Sequence, residues 1–377
     1  MTKLTNISLN LTTVQQEHIN FLKNLFLPYT TRVYIVGGTI RDHFLNSSNI
    51  SHDIDIEVHG ISIKTFDTLM DDIQASGVGK SFFVYKYNDI DISLGRTESK
   101  ISYGHKGFSV QLAIDEQEAS IRRDFTINAL MYNIFTNEVL DFHNGLEHIK
   151  TKTLKIVNDI SFQEDSLRVL RAVRFASVYD LTIDKSSLKI MKNISISDLS
   201  SSRISDELKK IFKSLYSYKG LYYLIKTNLF KELFYYCILF KEFLYLYKYI
   251  KRASCYYNID LYELYFLFIL KKHLKIEFTH LNFPNRYKQI NKEPYIPLDI
   301  KDEELLYLAS FKSINMYLDS TNKTIINKAK RLNIYENIFQ IDIDINTILK
   351  EGYKGKDIAK QIELRKKIYI KKYLEEL

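Results

Sequence analysis

Three groups of residues in this 377-residue chain have the types and spacing for chemistry on phosphate groups. The first is Gly37-Gly38-Thr39-Ile40-Arg41-Asp42, followed by Asp53-Ile54-Asp55. An apolar run ending in two glycines and opening a helix lets backbone N–H groups approach phosphate oxygens closely. Arg41, one turn into that helix, adds a charge-assisted contact to a triphosphate. Asp53 and Asp55 are one residue apart on a predicted strand, so both carboxylates project to the same face. Such a pair can hold two Mg²⁺ ions about 4 Å apart, the arrangement that serves in-line nucleotidyl transfer. An isolated Asp-x-Asp is more often a solvated strand edge; the glycine turn upstream shifts the balance toward a metal pair. Asp91, in the alternating segment Ile90–Leu94, is a candidate third carboxylate if that strand lies beside the first.

The second group is Arg122-Arg123-Asp124-Phe125-Thr126-Ile127-Asn128-Ala129-Leu130. Adjacent arginines beside Asp124 and Asn128 suit a phosphate clamp or a sugar contact, with Asp124 holding one guanidinium in place. An Arg–Asp helix cap accounts for the same residues. The third group runs from Glu164-Asp165 through Arg168, Arg171 and Arg174 to Phe175. Recurrence every three residues spreads the three arginines over an arc of about 120° on one helix, beside an apolar stripe of Leu167, Leu170 and Val173. Asp165 and Arg168, one turn apart, offer an acceptor and a donor pair that match the hydrogen-bonding edge of a nucleobase. A surface ion pair is the plainer alternative.

The elements that must carry these residues are legible from periodicity. Residues 15–29 read as an amphipathic helix ended near Pro28, and Val33–Val36 as a buried strand running into the glycines. Ile54, Ile56 and Val58 alternate with acidic residues, giving a strand with one wet face, and Ile90–Leu94 repeats that alternation. The glycine-punctuated stretch Gly95 to Gly107 reads as a mobile loop. Apolar segments at 127–134 and 138–142 and a turn at Asn144-Gly145 complete a mixed α/β front part. From Phe162 onward the periods are helical. Pro284, Pro294 and Pro297 cluster at the best candidate break in that half. The Tyr- and Phe-rich stretch 222–270 can stack bases, but core is the commoner use of such helices.

Composition narrows the function classes. Cys237 and Cys255 are too few for a disulfide framework or a zinc site. The N-terminus lacks an apolar signal core, and the stretch Leu261–Leu270, broken by Glu263, is too short to span a bilayer, so a cytoplasmic protein with no membrane partner is expected. No His-Asp metal pair is seen among the 9 histidines, which argues against an added phosphohydrolase. Charge is uneven: residues 1–150 carry 13 basic against 18 acidic residues, and residues 151–377 carry 40 against 27. An acidic front joined to a basic back suits a carboxylate-bearing catalytic part and a polyanion-binding part, although solvated helix faces explain the charge alone equally well.

Taken in order, the three groups resemble the motifs of the class II tRNA nucleotidyltransferase and bacterial poly(A) polymerase family, within the DNA polymerase β nucleotidyltransferase superfamily. Gly37 to Asp55 is similar to the family's GGxxRD and DxD, Arg122 to Ala129 to its RRDxxxNA, and Glu164 to Phe175 to its EDxxRxxRxxRF. Asp141 to Gly145 resembles its connecting motif, and Arg203-Ile204 with Glu207-Leu208 a later helix-stabilising motif. Gly352 to Ile358 resembles its tail. The match is strong over residues 30–215.

The resemblance implies an α+β fold: a polymerase-β-like head with a mixed sheet and helices over 1–155, a helical neck with the base template over 156–215, and a helical body and tail over 216–377. It implies that Asp53 and Asp55 bind Mg²⁺, and that Gly37, Gly38, Arg41, Arg122, Arg123, Asp124 and Asn128 serve the nucleotide's phosphates and sugar. Glu164, Asp165 and Arg168 would read CTP or ATP, with Arg171 and Arg174 in support. The tRNA acceptor arm and 3′ end would be the partner, bound with strong salt dependence, and no DNA is expected. Residues 95–120 would help switch the pocket between nucleotides.

Within the family the alternatives are a CC-only or A-only specialist and a poly(A) polymerase. The last is disfavoured because Ser81 stands where a second basic residue is expected in Gly79–Tyr85, and because no long basic C-terminal extension is seen. A catalytically inactive RNA-binding protein would have no use for the paired carboxylates, and a small-molecule nucleotidyltransferase none for the basic half.

Overall fold

The computed structural model describes residues 2–45, 53–79, 83–100, 108–255 and 259–376. Residues 80–82, within the segment used to weigh a poly(A) polymerase, lie outside them, as do residues 101–107 of the glycine-punctuated stretch. The chain divides into two compact units, one of residues 1–211 and 219–237, the other of residues 212–218 and 238–377.

The first unit opens with β1 (Thr2–Leu4), α1 (Thr13–Phe26), β2 (Val33–Val36), α2 (Gly38–Phe44), β3 (Ile54–Val58) and α3 (Ile63–Asp72). Then come β4 (Ser76–Gly79), β5 (Val84–Tyr87), β6 (Ile90–Leu94), β7 (Arg96–Lys100), β8 (Phe108–Leu112), α4 (Glu116–Ser120), β9 (Met131–Asn133), β10 (Val139–Asp141) and α5 (Gly145–Lys150). Helix α1 starts in a capping box between Thr12 and Gln15, buries Ile19, Leu22 and Phe26, and stops just before Pro28, which has no N–H to continue the helical ladder.

One eight-stranded mixed sheet, ordered β1-β10-β9-β2-β3-β6-β5-β4, forms the frame of this unit. All four residues of β2 are buried, as a central strand requires. β3 buries Ile54, Ile56 and Val58 on one face, but its acidic face is not uniformly wet: Asp55 is exposed and Glu57 fully buried. The pairing of β3 with β6 is parallel and sets Asp55 opposite Asp91. The flanks of the Gly95–Gly107 stretch belong to a second, antiparallel ladder of β7 with β8, rather than to a loop throughout. β7 is polar throughout, whereas β8 alternates Phe108, Val110 and Leu112 with polar residues, so β7 is set by its ladder hydrogen bonds to β8.

Past the sheet, the first unit becomes helical. β11 (Thr153–Leu154) leads through α6 (Asp159–Gln163) to α7 (Leu167–Val178), then to β12 (Thr182–Ile183), α8 (Lys185–Met191), α9 (Ser201–Lys213), α10 (Ser217–Lys226) and α11 (Leu229–Phe234). Helix α7 buries Val169, Leu170, Ala172, Val173, Phe175 and Ala176, leaving its arginines half-buried at the rim.

The second unit contains α12 (Phe240–Ala253), α13 (Ile259–Leu274), α14 (Asp302–Ala309), α15 (Lys323–Arg331), α16 (Ile345–Lys350) and α17 (Lys356–Glu375). The three prolines fall between α13 and α14. The aromatic stretch divides: Tyr262, Tyr265, Phe266 and Phe268 are core, whereas Leu239, Phe240 and Leu244 stay exposed. Among the described residues no helix is long and apolar enough to cross a membrane.

Candidate active site

The site forms where β2 hands over to α2. Gly37 has φ +75, a left-handed conformation that glycine adopts without steric cost, and α2 begins at the next residue. A Cβ at Gly37 would stand 3.0 Å from Asp55 Oδ2 and 3.6 Å from Arg123 Nη1. The glycine therefore leaves open the space over a carboxylate and a guanidinium. Thr39, on the same turn, donates to the Asp53 carbonyl at 3.3 Å, tying α2 to the entrance of β3.

Asp55 lies between its strand partners Val36 and Asp91, and Asp53 stands two residues ahead on the same face. Although Asp55 is open at its surface, the protein mass packed around it partly desolvates its carboxyl and pushes the pKa up; Arg123 opposes this, and the charges of Asp91 and Asp53 add to the rise. Acids crowded in this way favour a cation among them. Among the described residues no group of three or more His, Cys, Asp or Glu side chains is placed to hold a metal ion, so Asp91 is in register with Asp55 without completing a three-acid cluster.

The arginine pair is held differently from the expectation. Arg122 and Arg123 both donate to Glu57 Oε2, at 2.8 and 3.0 Å, and His59 Nε2 lies 3.0 Å from Glu57 Oε1. Burial would raise the Glu57 pKa, but the His59 hydrogen bond and the two guanidinium charges hold it well below the usual carboxylate range. Asp124 faces Arg171 instead, at 2.7 Å, and accepts from Asn128 Nδ2 at 2.8 Å and from the Phe125 N–H at 2.9 Å. Burial alone would raise its pKa; the Arg171 charge and these donors bring it down.

Arg41 is buried, with its guanidinium turned into the protein. It donates through Nε to Asp42 at 2.9 Å, through Nη1 to Asn128 Oδ1 at 2.9 Å and through Nη2 to the Tyr179 hydroxyl at 2.7 Å. Its plane also lies over the Phe175 and Tyr179 rings, 5.0 and 4.7 Å from their centroids. Arg41, Asn128, Asp124 and Arg171 thus form one strut from α2 to α7. Asp141 performs a related task nearby, accepting from the His143, Gly145 and Leu146 backbone N–H groups and so starting α5.

On α7 and its approach, Arg168 donates to the Ser161 carbonyl and hydroxyl at 2.8 and 3.2 Å, and to the Arg122 carbonyl at 2.8 Å. Asp165 is half-buried, caps the Leu167 N–H and pairs with Arg203 at 3.7 Å. Glu164 ends α6 and is half-buried, and Arg174 pairs with buried Glu207 at 3.2 Å. The sheet thus brings together Gly37, Asp53, Asp55, Asp91 and Arg123. A separate frame of Arg41, Asp124, Asn128 and Arg171 supports them, and Arg168 ties the start of α7 to the backbone of Arg122. Sequence reasoning missed Glu57, His59 and Tyr179. The signal for Glu57 was present: it continues the Asp53, Asp55 face, and two adjacent arginines need more than one neighbouring Asp to balance them.

Residues 33–155 match the poly(A) polymerase head domain, and residues 180–237 match the probable RNA and SrmB-binding site of polymerase A. A CCA-adding enzyme of Buchnera aphidicola subsp. Cinara cedri is 40% identical over 149 residues, 39% of this chain and 35% of that protein. A multifunctional CCA protein of Pasteurella multocida is 36% identical over 155 residues, 39% of this chain and 34% of that protein. The chain spans about a third of the length of the curated relatives it matches.

Among solved structures, the Thermotoga maritima CCA-adding enzyme complexed with tRNA-CCA aligns with a TM-score of 0.64 at 19% identity, over 96% of this chain and 92% of that one. The Bacillus stearothermophilus CCA-adding enzyme in complex with CTP aligns at 0.62 and 17% identity, over 96% and 94%. At these identities the likeness establishes the fold. The chain thus carries a segment matching the poly(A) polymerase head domain over residues 33–155 and one matching the polymerase A RNA-binding site over residues 180–237, in a fold shared with solved CCA-adding enzymes.

Proposed function

We propose that this protein is a tRNA nucleotidyltransferase that adds C and A to the tRNA 3′ end from CTP and ATP, with release of pyrophosphate. The observation that carries the reading is the Asp53–Asp55 pair, set beside an open glycine turn and a fixed pair of arginines. The tRNA 3′-OH attacks the α-phosphorus in line, the new P–O bond forms, and the bond to pyrophosphate breaks.

The donor set suits Mg²⁺: hard carboxylate oxygens, two rather than a full cage, with room left for water and substrate phosphates. Asp53 and Asp55 would hold it, and when bound it lowers the pKa of the attacking hydroxyl and neutralises charge on the leaving group. Asp91, across the ladder from Asp55, adds to the negative charge facing the ion. Arg122 and Arg123 orient the triphosphate, and the Gly37-Gly38 turn lets it lie close to the backbone. Asp165 and Arg168 present the acceptor and donors that select the base, with Glu164 at the approach and Arg174 bracing the helix. Arg41, Asp124, Asn128 and Arg171 act from behind, keeping α2 and α7 at a fixed separation. Positioning and electrostatics carry the rate.

In this reading residues 1–155 are the catalytic head, 156–215 the neck that carries the template, and 216–377 the tRNA-binding body and tail. The excess of basic residues after 150 supports that division. The relatives named CCA-adding enzyme favour addition of both nucleotides. Asp53→Ala tests the metal assignment: nucleotide addition should fall by roughly a thousandfold or more while tRNA affinity stays near wild type. Loss of tRNA binding with residual addition would place Asp53 outside the site.

A further inference from the structure

We propose that Glu57 and His59 are positioning residues for nucleotide binding, a dyad that fixes the Arg122–Arg123 pair against the incoming triphosphate. This rests on the nucleotidyl-transfer reading, and it concerns two residues outside the metal pair and the base template. Glu57 is 0% exposed and takes three charge-bearing or polar donors: Arg122 and Arg123 on one oxygen, His59 on the other.

An apolar residue would fill that space at lower desolvation cost. It would also leave two neighbouring guanidiniums to repel each other next to the glycine turn, where Arg123 Nη1 lies. One carboxylate between two arginines holds both while leaving the cluster net positive, the charge an anionic triphosphate needs.

His59 is fixed in its turn. To serve an ionised carboxylate, Nε2 must carry the proton. The ring lies against Gly95, where a Cβ would come within 2.1 Å of the imidazole Cε1, and it meets Tyr34 edge-on at 5.8 Å between centroids. Gly95 is therefore glycine because the ring occupies the place of a side chain, and the imidazole has no room to swing away from Glu57. The chain of contacts runs from Gly95 through His59 and Glu57 to the two arginines.

The test compares Glu57→Gln, His59→Leu and His59→Gln in the full chain with wild type. Three quantities are measured: triphosphate affinity by calorimetry with CTP and Mg²⁺, KM and kcat on a tRNA ending before CCA, and thermal midpoint. Glu57→Gln and His59→Leu should weaken CTP binding and raise KM for CTP by roughly tenfold, with kcat within about threefold of wild type. His59→Gln, whose amide N–H can reach the same oxygen, should recover most of that loss.

Folded variants that bind CTP as wild type does, or that lose kcat at unchanged KM and affinity, would overturn the proposal. Should Glu57→Gln fail to fold, the contrast between the two His59 variants decides. If wild type binds CTP but adds no nucleotide, while the variants still show graded CTP affinity, the dyad stands and the transfer reading fails.

Discussion

In the proposed reading Arg168 serves both frame and selection. Its contacts to Ser161 and to the Arg122 carbonyl engage only part of a guanidinium that carries five N–H donors. Removing it should therefore cost base selectivity and also loosen the backbone beneath the arginine pair. For Arg168→Ala we expect misincorporation of UTP relative to CTP to rise by roughly ten- to a hundredfold, the worth of one or two charge-assisted hydrogen bonds. Affinity for tRNA should change much less. A variant that stays fully selective, measured by single-nucleotide extension with each triphosphate, would remove Arg168 from base reading. Arg41 illustrates the opposite case. A cationic residue one turn past a glycine pair reads as a phosphate ligand, yet its nitrogens meet Asp42, Asn128 and Tyr179 and its plane meets two rings. Those partners lie 87 and 138 residues away in the case of Asn128 and Tyr179, so local pattern cannot reveal them.

At the scale of elements, β2 is anchored at its head by a contact with α4. Arg32 makes two 2.8 Å hydrogen bonds to the two oxygens of Glu116, and the Tyr34 hydroxyl adds a third at 2.8 Å. Burial would raise the Glu116 pKa, but these donors bring it down from an ordinary 4.5 to about 2. A depressed carboxylate stabilises the fold above its unfolded pKa, and that stability is lost as pH falls through the folded value. Glu116→Gln should accordingly lower the thermal midpoint at pH 7. The gap to wild type should close as pH drops from about 4.5 toward 2. A gap independent of pH in scanning calorimetry would contradict this assignment.

The strands that position the paired acids were readable, because β2, β3 and β6 show plain period-two or continuous apolar patterns bounded by Gly and Asp. The register that sets Asp91 opposite Asp55 was not, since a parallel pair separated by a long crossover is chosen by tertiary packing. The charge balance pointed to an acid such as Glu57, but its burial was hidden for a similar reason. An acidic residue on an alternating strand reads as solvent-facing until arginines 65 and 66 residues later cover it. The ladder of β7 with β8 was lost because β7, Arg-Thr-Glu-Ser-Lys, has no apolar face to mark a strand, although its partner β8 alternates Phe108, Val110 and Leu112.

At the scale of the whole molecule, a front part with an excess of acidic residues precedes a helical part with an excess of basic ones, and helix α13, which buries Tyr262, Tyr265, Phe266 and Phe268, ends in the half-buried Lys271 and Lys272. That arrangement suits a protein that performs phosphate chemistry at one site and holds a folded polyanion by shape and charge elsewhere. The most direct measurement incubates the purified protein and Mg²⁺ with three tRNA transcripts, ending before CCA, after C and after CC. Each receives CTP, ATP or both, and products are resolved at single-nucleotide length. The account predicts stepwise completion to CCA from all three, with CTP required for the first two additions and ATP for the last. Extension of only the CC-ended or only the shorter transcripts would reduce the protein to a one-nucleotide specialist, and long A-tails would make it a poly(A) polymerase. No extension of any transcript would contradict the central claim.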